Sequence, residues 1–155
     1  MKNKVVKLLK EKGMTISSIE SLTGGLFAST ITSVPGVSSV FKGCVVTYAT
    51  EIKQNVIGVS KEVVEEFGVI SKECALEMVK GGKELLNTDV VVSFTGNAGP
   101  DTMENKKVGT VFIGLLVKEE IEIVELNLVG DRNFIRNECV NIAFNKIFEK
   151  ISRDF

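Results

Sequence analysis

The run Val90-Val91-Val92-Ser93-Phe94 restricts the folds open to this chain more than any other segment. It lies between Asp89 and Thr95 with almost no polar alternation, the pattern of a strand buried on both faces. A sheet that is covered on both faces needs helices above and below it, which is α/β architecture. The flanking segments agree. Residues 4–12 set Val5, Leu8, Leu9 and Lys12 at helical spacing, with Gly13 as a stop. Residues 14–19 read as a short strand, and 26–34 as a helix with small residues on one side. Pro35-Gly36 marks a turn. The β-branched run over 40–48 reads as an interior strand. A short helix is expected at 51–57 and another at 60–67, closed by Gly68.

The strongest helix signal spans 71–86. Ser71 is a good N-cap, and Ala75, Met78, Val79, Gly82, Leu85 and Leu86 share a face. After Phe94 come a polar loop over 96–107 and two apolar runs, 109–117 and 121–129. Lys118-Glu119-Glu120 between them predicts a hairpin. Gly130-Asp131 opens a long helix whose inner face is Ile135, Cys139, Ile142, Ala143, Ile147 and Ile151. The expected fold is a three-layer α/β/α sandwich. Its sheet is mixed and mostly parallel, with a late antiparallel hairpin, in one unit over 1–155.

The chain has 155 residues, 44% apolar and 25% charged, enough to bury a core without staples. Its net charge is −1 with both signs interspersed, so no nucleic-acid partner is expected. Charges break the apolar residues of the first thirteen positions, which excludes a signal peptide, and no stretch has membrane-span length. The expected location is therefore the cytoplasm, with no membrane partner. Cys44, Cys74 and Cys139 are widely spaced and odd in number, which fits free thiols in a reducing compartment. Cys44, in mid-run, is expected to pack in the core.

Histidine is absent. That removes Ser-His-Asp and Cys-His catalysis and the His-based zinc motifs. No metal or other cofactor is expected, and any general base must be Lys, Tyr, Asp, Glu or water.

Two glycine-rich turns follow expected strands, where an open α/β sheet binds ligands. They are Glu20-Ser21-Leu22-Thr23-Gly24-Gly25 and Thr95-Gly96-Asn97-Ala98-Gly99-Pro100. Neither has the glycine spacing of a P-loop or a dinucleotide fingerprint, and either alone reads as a tight turn. Tyr48-Ala49-Thr50-Glu51-Ile52-Lys53 between them makes the pattern more specific. In these segments the sequence resembles the CinA C-terminal domain family, the nicotinamide-nucleotide amidases. The likeness continues through Phe41-Lys42-Gly43, Val46-Thr47-Tyr48, Lys53-Gln54, Gly58-Val59 and Gly68-Val69-Ile70-Ser71. It ends with Val108-Gly109-Thr110-Val111 and Gly130-Asp131-Arg132, so the anchors run in family order along nearly the whole chain.

The resemblance implies deamidation of nicotinamide mononucleotide, a pyridine nucleotide, to nicotinate mononucleotide and ammonia. It also suggests a homo-oligomer. Some family members carry this domain behind a larger N-terminal one linked to competence and pyrophosphate cleavage, activities the resemblance in these residues does not assign. This chain departs from the family at Asn97, where isoleucine is usual, and at Asp101, where glycine is common. The loop through Lys107 lacks the usual further glycines and proline, and Leu22 replaces a frequent cysteine or alanine. These changes bear on loop shape and substrate affinity more than on the chemistry.

On this likeness Ser21 is the nucleophile. A serine needs an adjacent base to attack an amide, and without histidine Lys53 is the candidate, provided its pKa is depressed. Tyr48 would relay or steady the proton, and the N–H groups of Gly24 and Gly25 would hold the oxyanion. Outside the family frame, Ser21 reads as an N-cap, Lys53 as a solvated helix residue and Tyr48 as strand-end packing. Thr23 is the rival hydroxyl, a helix cap or a substrate contact. Glu20 would orient Lys53 or cap the strand end, and with Gly24 and Gly25 it is expected among the substrate-binding residues. Thr95, Gly96, Asn97, Ala98 and Gly99 are the expected walls of the substrate site. Arg132 is a phosphate ligand or a surface ion pair. The competing functions are a non-catalytic nucleotide- or partner-binding module of the same fold and an amidohydrolase for a related amide.

Overall fold

The structure is a computed structural model that describes residues 1–154. Phe155, the last residue of the expected 1–155 unit, lies outside the described residues. Five strands form one sheet in the order β2-β1-β3-β4-β5: β1 Ile16–Glu20, β2 Phe41–Val46, β3 Val90–Gly96, β4 Thr110–Val117 and β5 Glu120–Asn127. Strand β1 pairs in parallel with β2 and β3, and β4 pairs antiparallel with β3 and β5. Four strands therefore run one way and β4 alone opposes them, the mixed sheet with a late hairpin that the sequence predicts.

Helices α1 (Lys2–Lys12), α2 (Leu26–Thr32) and α6 (Arg132–Asp154) cover one face of the sheet. Helices α3 (Thr50–Asn55), α4 (Lys61–Phe67) and α5 (Lys72–Leu86) follow β2, and α5 covers the other face. Strand β3 shows why its sequence is apolar throughout. Val90, Val92 and Phe94 enter the core beneath α1, α2 and α6, whereas Val91 enters the core beneath α5. On the first side Phe27 of α2 stacks on Phe144 of α6 at 4.6 Å and tilts against Phe94 at 5.7 Å. Among the described residues no helix is long and apolar enough to cross a membrane.

Local signals explain the helix ends. Gly13 closes α1 in the left-handed conformation, and the Ser71 hydroxyl accepts the Cys74 N–H at the start of α5. Helix α5 buries Cys74, Ala75, Met78, Val79 and Gly82. A Cβ at Gly82 would come within 2.6 Å of Ile19, so glycine there lets the helix approach β1 and β3 closely.

Three expectations require correction. The run over 40–48 forms β2, which is an edge strand and not an interior one. β-Branched residues favour any strand, and the half-buried pattern with exposed Lys42 and Val46 is that of an edge. Leu85 is 52% exposed, and Leu86 beside it packs against the core beneath α5 instead. On α6 the buried face also includes Val140 and Phe144, while Ile142 is only partly buried.

The connection from β1 leads to β2 on one side, and the chain then crosses to β3 on the other. The strand order thus reverses at β1, and a crevice opens beyond the carboxyl ends of β1 and β3. Glu20 at the end of β1 is in register with Phe94 of β3, which brings both glycine-rich turns to that crevice.

Candidate active site

Ser21 leaves β1 with its N–H still bonded to the Phe94 carbonyl (3.1 Å). The turn after it requires glycine, since Gly24 and Gly25 both adopt positive φ (56° and 100°). The carboxylate of fully buried Glu20 folds back over this turn. It accepts the N–H groups of Gly25, Phe27 and Ala28 (3.2, 3.0 and 3.1 Å), the Ser18 hydroxyl (2.9 Å) and the Cys44 thiol (3.3 Å). A buried carboxylate with five donors is an anchor for the first turn of α2. Its oxygens are spent there, so Glu20 neither orients Lys53 nor lines the adjoining cavity, contrary to its expected role in binding substrate. Cys44 is half-buried on the edge strand, not in the core, and burial beside this carboxylate pushes its thiol up to about 12.

The N–H groups expected to hold an oxyanion are also engaged. Gly24 donates to the Ser21 carbonyl (3.0 Å) and Gly25 to Glu20. Thr23 is fully buried, and its hydroxyl is a buried polar atom without a hydrogen-bond partner among the described residues. It does not line the cavity, so Thr23 is not placed as a rival nucleophile or a substrate contact.

Lys53, on the short helix α3, is only 2% exposed. Its Nζ donates to Ser21 Oγ (2.9 Å) and to the main-chain carbonyls of Thr47 (2.7 Å) and Tyr48 (3.1 Å). No carboxylate lies within salt-bridge distance of it among the described residues. Burial lowers its pKa from the ordinary lysine value, opposed by weaker attractions from Cys74 and Glu104. Burial also raises the Cys74 thiol to about 12, so near neutral pH Cys74 carries no charge that would hold the ammonium.

Tyr48 differs from expectation. It is 60% exposed, and its hydroxyl meets Arg132 Nη2 (3.1 Å), not Ser21 or Lys53. The residue serves the lysine through its carbonyl only. Strand β2 has ended two residues earlier, and the following turn into α3 aims the ring at the mouth of the cavity.

A cavity of about 130 Å³ lies beside Ser21 and Lys53. Thr95, Gly96, Asn97, Ala98 and Gly99 line one side of it, as expected, and Tyr48, Asp101 and Arg132 also line it. Arg132 opens α6 and donates from Nη1 to the Gly99 carbonyl (2.7 Å). Thr95 sends its hydroxyl to the Val69 carbonyl (2.6 Å). The Asn97 side chain is turned into its own loop: Nδ2 donates to the carbonyls of Met103 (3.2 Å) and Lys106 (2.9 Å), and Oδ1 accepts the Met103 N–H (3.1 Å). Asn97 therefore shapes the wall and its amide is not free for substrate.

Three charged residues that fasten the segments around the cavity lie outside the sequence expectations. Glu104 accepts the N–H groups of Val69 (2.8 Å) and Ile70 (3.0 Å). Burial works to raise its pKa, but these bonds and Lys106 hold it below the usual range. Lys106 donates to the carbonyls of Phe67 and Ile70, so the 97–107 loop is fastened to the α4–α5 connection. Arg136 reaches from α6 to the carbonyls of Leu22 and Thr23 (both 3.0 Å). Each is an ordinary charged residue in sequence; only the spacing of Arg136, one turn after Arg132, hinted at a shared face.

The family model of the CinA C-terminal domain matches residues 1–151. Proteins of Bacillus mycoides and Bacillus thuringiensis named competence-damage inducible are each 48% identical over 96% of this chain. The chain spans about a third of the length of these curated relatives (36%). Among solved structures, a CinA superfamily protein from Klebsiella pneumoniae superposes with a TM-score of 0.96 at 27% identity, covering 99% of this chain and 96% of the other. A competence/damage inducible protein from Agrobacterium tumefaciens gives 0.93 at 28% identity, covering 98% and 93%. With the match to the family model over residues 1–151, these likenesses establish that the chain belongs to the CinA C-terminal domain family.

Proposed function

We propose that this chain hydrolyses the amide of nicotinamide mononucleotide, giving nicotinate mononucleotide and ammonia through an acyl-Ser21 intermediate. The observation that carries the reading is the buried, carboxylate-free contact of Lys53 Nζ with Ser21 Oγ at 2.9 Å. A neutral amine has two N–H donors and one lone pair. The carbonyls of Thr47 and Tyr48 match the two donors, leaving the lone pair for the Ser21 hydroxyl proton.

Lys53 takes that proton as Oγ bonds to the amide carbon. The tetrahedral oxyanion collapses, the C–N bond breaks, and the proton returns from Lys53 to the leaving nitrogen, which departs as ammonia. Water then attacks the ester with Lys53 again as base, releasing the carboxylate and restoring Ser21. With Gly24 and Gly25 engaged, the oxyanion donor is the N–H of Leu22, a residue that lines the cavity and whose N–H has no acceptor among the described residues. Tyr48 and Arg132 act at the mouth, Arg132 on the phosphate. The chain works as a cytoplasmic enzyme without metal or cofactor.

The test is ammonia release from nicotinamide mononucleotide by purified protein. Wild type is expected to turn over, and Ser21→Ala to fold with the same thermal midpoint and lose activity by several orders of magnitude, as when a serine nucleophile is removed. Binding of the mononucleotide without ammonia release by wild type would instead identify a binding module. Retained activity in Ser21→Ala would exclude Ser21 as nucleophile.

A further inference from the structure

We propose that Arg136 is a positioning residue that holds the Leu22 N–H in the orientation which receives the oxyanion; the inference rests on Ser21 being the nucleophile. Arg136 lies on the second turn of α6, 114 residues from its partner Leu22. Its Nε bonds the Leu22 carbonyl and its Nη2 the Thr23 carbonyl, each at 3.0 Å. One planar guanidinium thereby clasps the two successive peptide units that follow the one carrying the Leu22 N–H, and so fixes the chain immediately after that donor.

The rest of the turn is held from the other side. Ser21 N–H is tied to Phe94, and the Ser21 carbonyl accepts Gly24 N–H. Leu26 N–H adds a bond to the Thr23 carbonyl (2.9 Å). The Leu22 carbonyl has its bond from Arg136. The Thr23 side chain adds nothing, since its buried hydroxyl lacks a partner among the described residues. No carboxylate pairs with Arg136 within salt-bridge distance among the described residues. The guanidinium packs against Gly24, where a Cβ would lie 3.5 Å from Nη2. A half-buried cation matched only by carbonyls of the nucleophile turn is costly as a scaffold element. It is suited to fixing a donor whose misplacement by an ångström slows the reaction.

The experiment pairs steady-state kinetics on the mononucleotide with binding of pyridine-3-boronic acid, whose boron forms a tetrahedral adduct with a serine oxygen. Adduct formation by wild type, lost in Ser21→Ala, tests the underlying reading by itself. Given that adduct, Arg136→Ala is expected to lower kcat and weaken the boronate in parallel, on the order of tenfold or more, with KM little changed. Arg136→Lys, which keeps the charge but bridges only one carbonyl, should show the same parallel loss, and added guanidinium ion should partly restore Arg136→Ala. If the adduct forms and both Arg136 variants keep wild-type kcat and boronate affinity, the inference is wrong. It is equally wrong if they change only KM or only the melting temperature. Absence of a Ser21-dependent adduct in wild type would overturn the function reading beneath it.

Discussion

Lys53 occupies a position where two roles give opposite answers to one substitution. As a fixed positive charge beside a bound phosphate, it would tolerate arginine. As the base for Ser21, it would not, because arginine keeps its proton at any usable pH. The 2.9 Å contact with Ser21 Oγ and the lowered pKa favour the base. Lys53→Arg should therefore lose nearly as much kcat as Lys53→Ala. The wild-type rate should rise with pH through an apparent pKa below the ordinary lysine value of 10.5, a limb that both variants lack. Near wild-type kcat in Lys53→Arg would refute the role. Arg132 stands at the mouth, where it already binds Gly99 and Tyr48. In Arg132→Ala the KM for the mononucleotide should rise about 30–150-fold, the equivalent of about 2–3 kcal/mol for charged hydrogen bonds. The phosphate-free riboside should be little affected, and equal losses on both would make Arg132 structural.

Among the elements, the 97–107 loop shows how a departure from the family pattern can be compensated. The Asn97 amide makes three bonds inside the loop, and Glu104 and Lys106 fasten the loop to the backbone over 67–70. Side-chain anchors hold the loop in place. Asn97→Ala should leave the Met103 N–H without its acceptor and accelerate its amide exchange by about 2–12-fold, corresponding to about 0.5–1.5 kcal/mol for one lost hydrogen bond. KM should rise while kcat changes little; unchanged exchange at Met103 would show that the loop is held otherwise. The sequence exposed Asn97 as unusual but not what it does, because its partners are main-chain atoms up to nine residues away. Edge and interior strands were similarly indistinguishable in the 40–48 run, since topology decides that difference.

At the scale of the whole molecule, the buried amine ties stability to pH. Its folded pKa is depressed, so between that value and about 10.5 the unfolded chain binds a proton that the folded chain does not. Stability must then rise with pH across that window. Measured against Lys53→Met, wild type should gain up to about 1.4 kcal/mol per pH unit in denaturant unfolding. The comparison cancels the raised Cys44 and Cys139 thiols, which oppose the trend above their ordinary value of 9.0, and because Cys74 senses Lys53 directly the slope is read below that value. Parallel curves for the two proteins would mean that Lys53 stays charged when folded.

Much of the fold was legible because it depends on patterns within single segments. The apolar β3, the capped α5 and the glycine turn after Ser21 each carry their own signal. The pairing of Ser21 with Lys53 was legible only through motif order. The Tyr48 ring, the Glu20 carboxylate and Arg136 were misread or missed because their partners are set by three-dimensional closure between distant segments.

The anchors of Lys53 other than Ser21 are the carbonyls of Thr47 and Tyr48. Every amino acid carries that group, so exchanging either side chain leaves the oxygen in place. The setting that the proposed mechanism gives its base is thus encoded in backbone path more than in the identity of residues 47 and 48. On the proposed mechanism, a side chain exchanged at position 47, or along the 97–107 loop, leaves the same acid–base corner in place. Diversification of what is bound and retention of how it is cleaved can then proceed on separate residues.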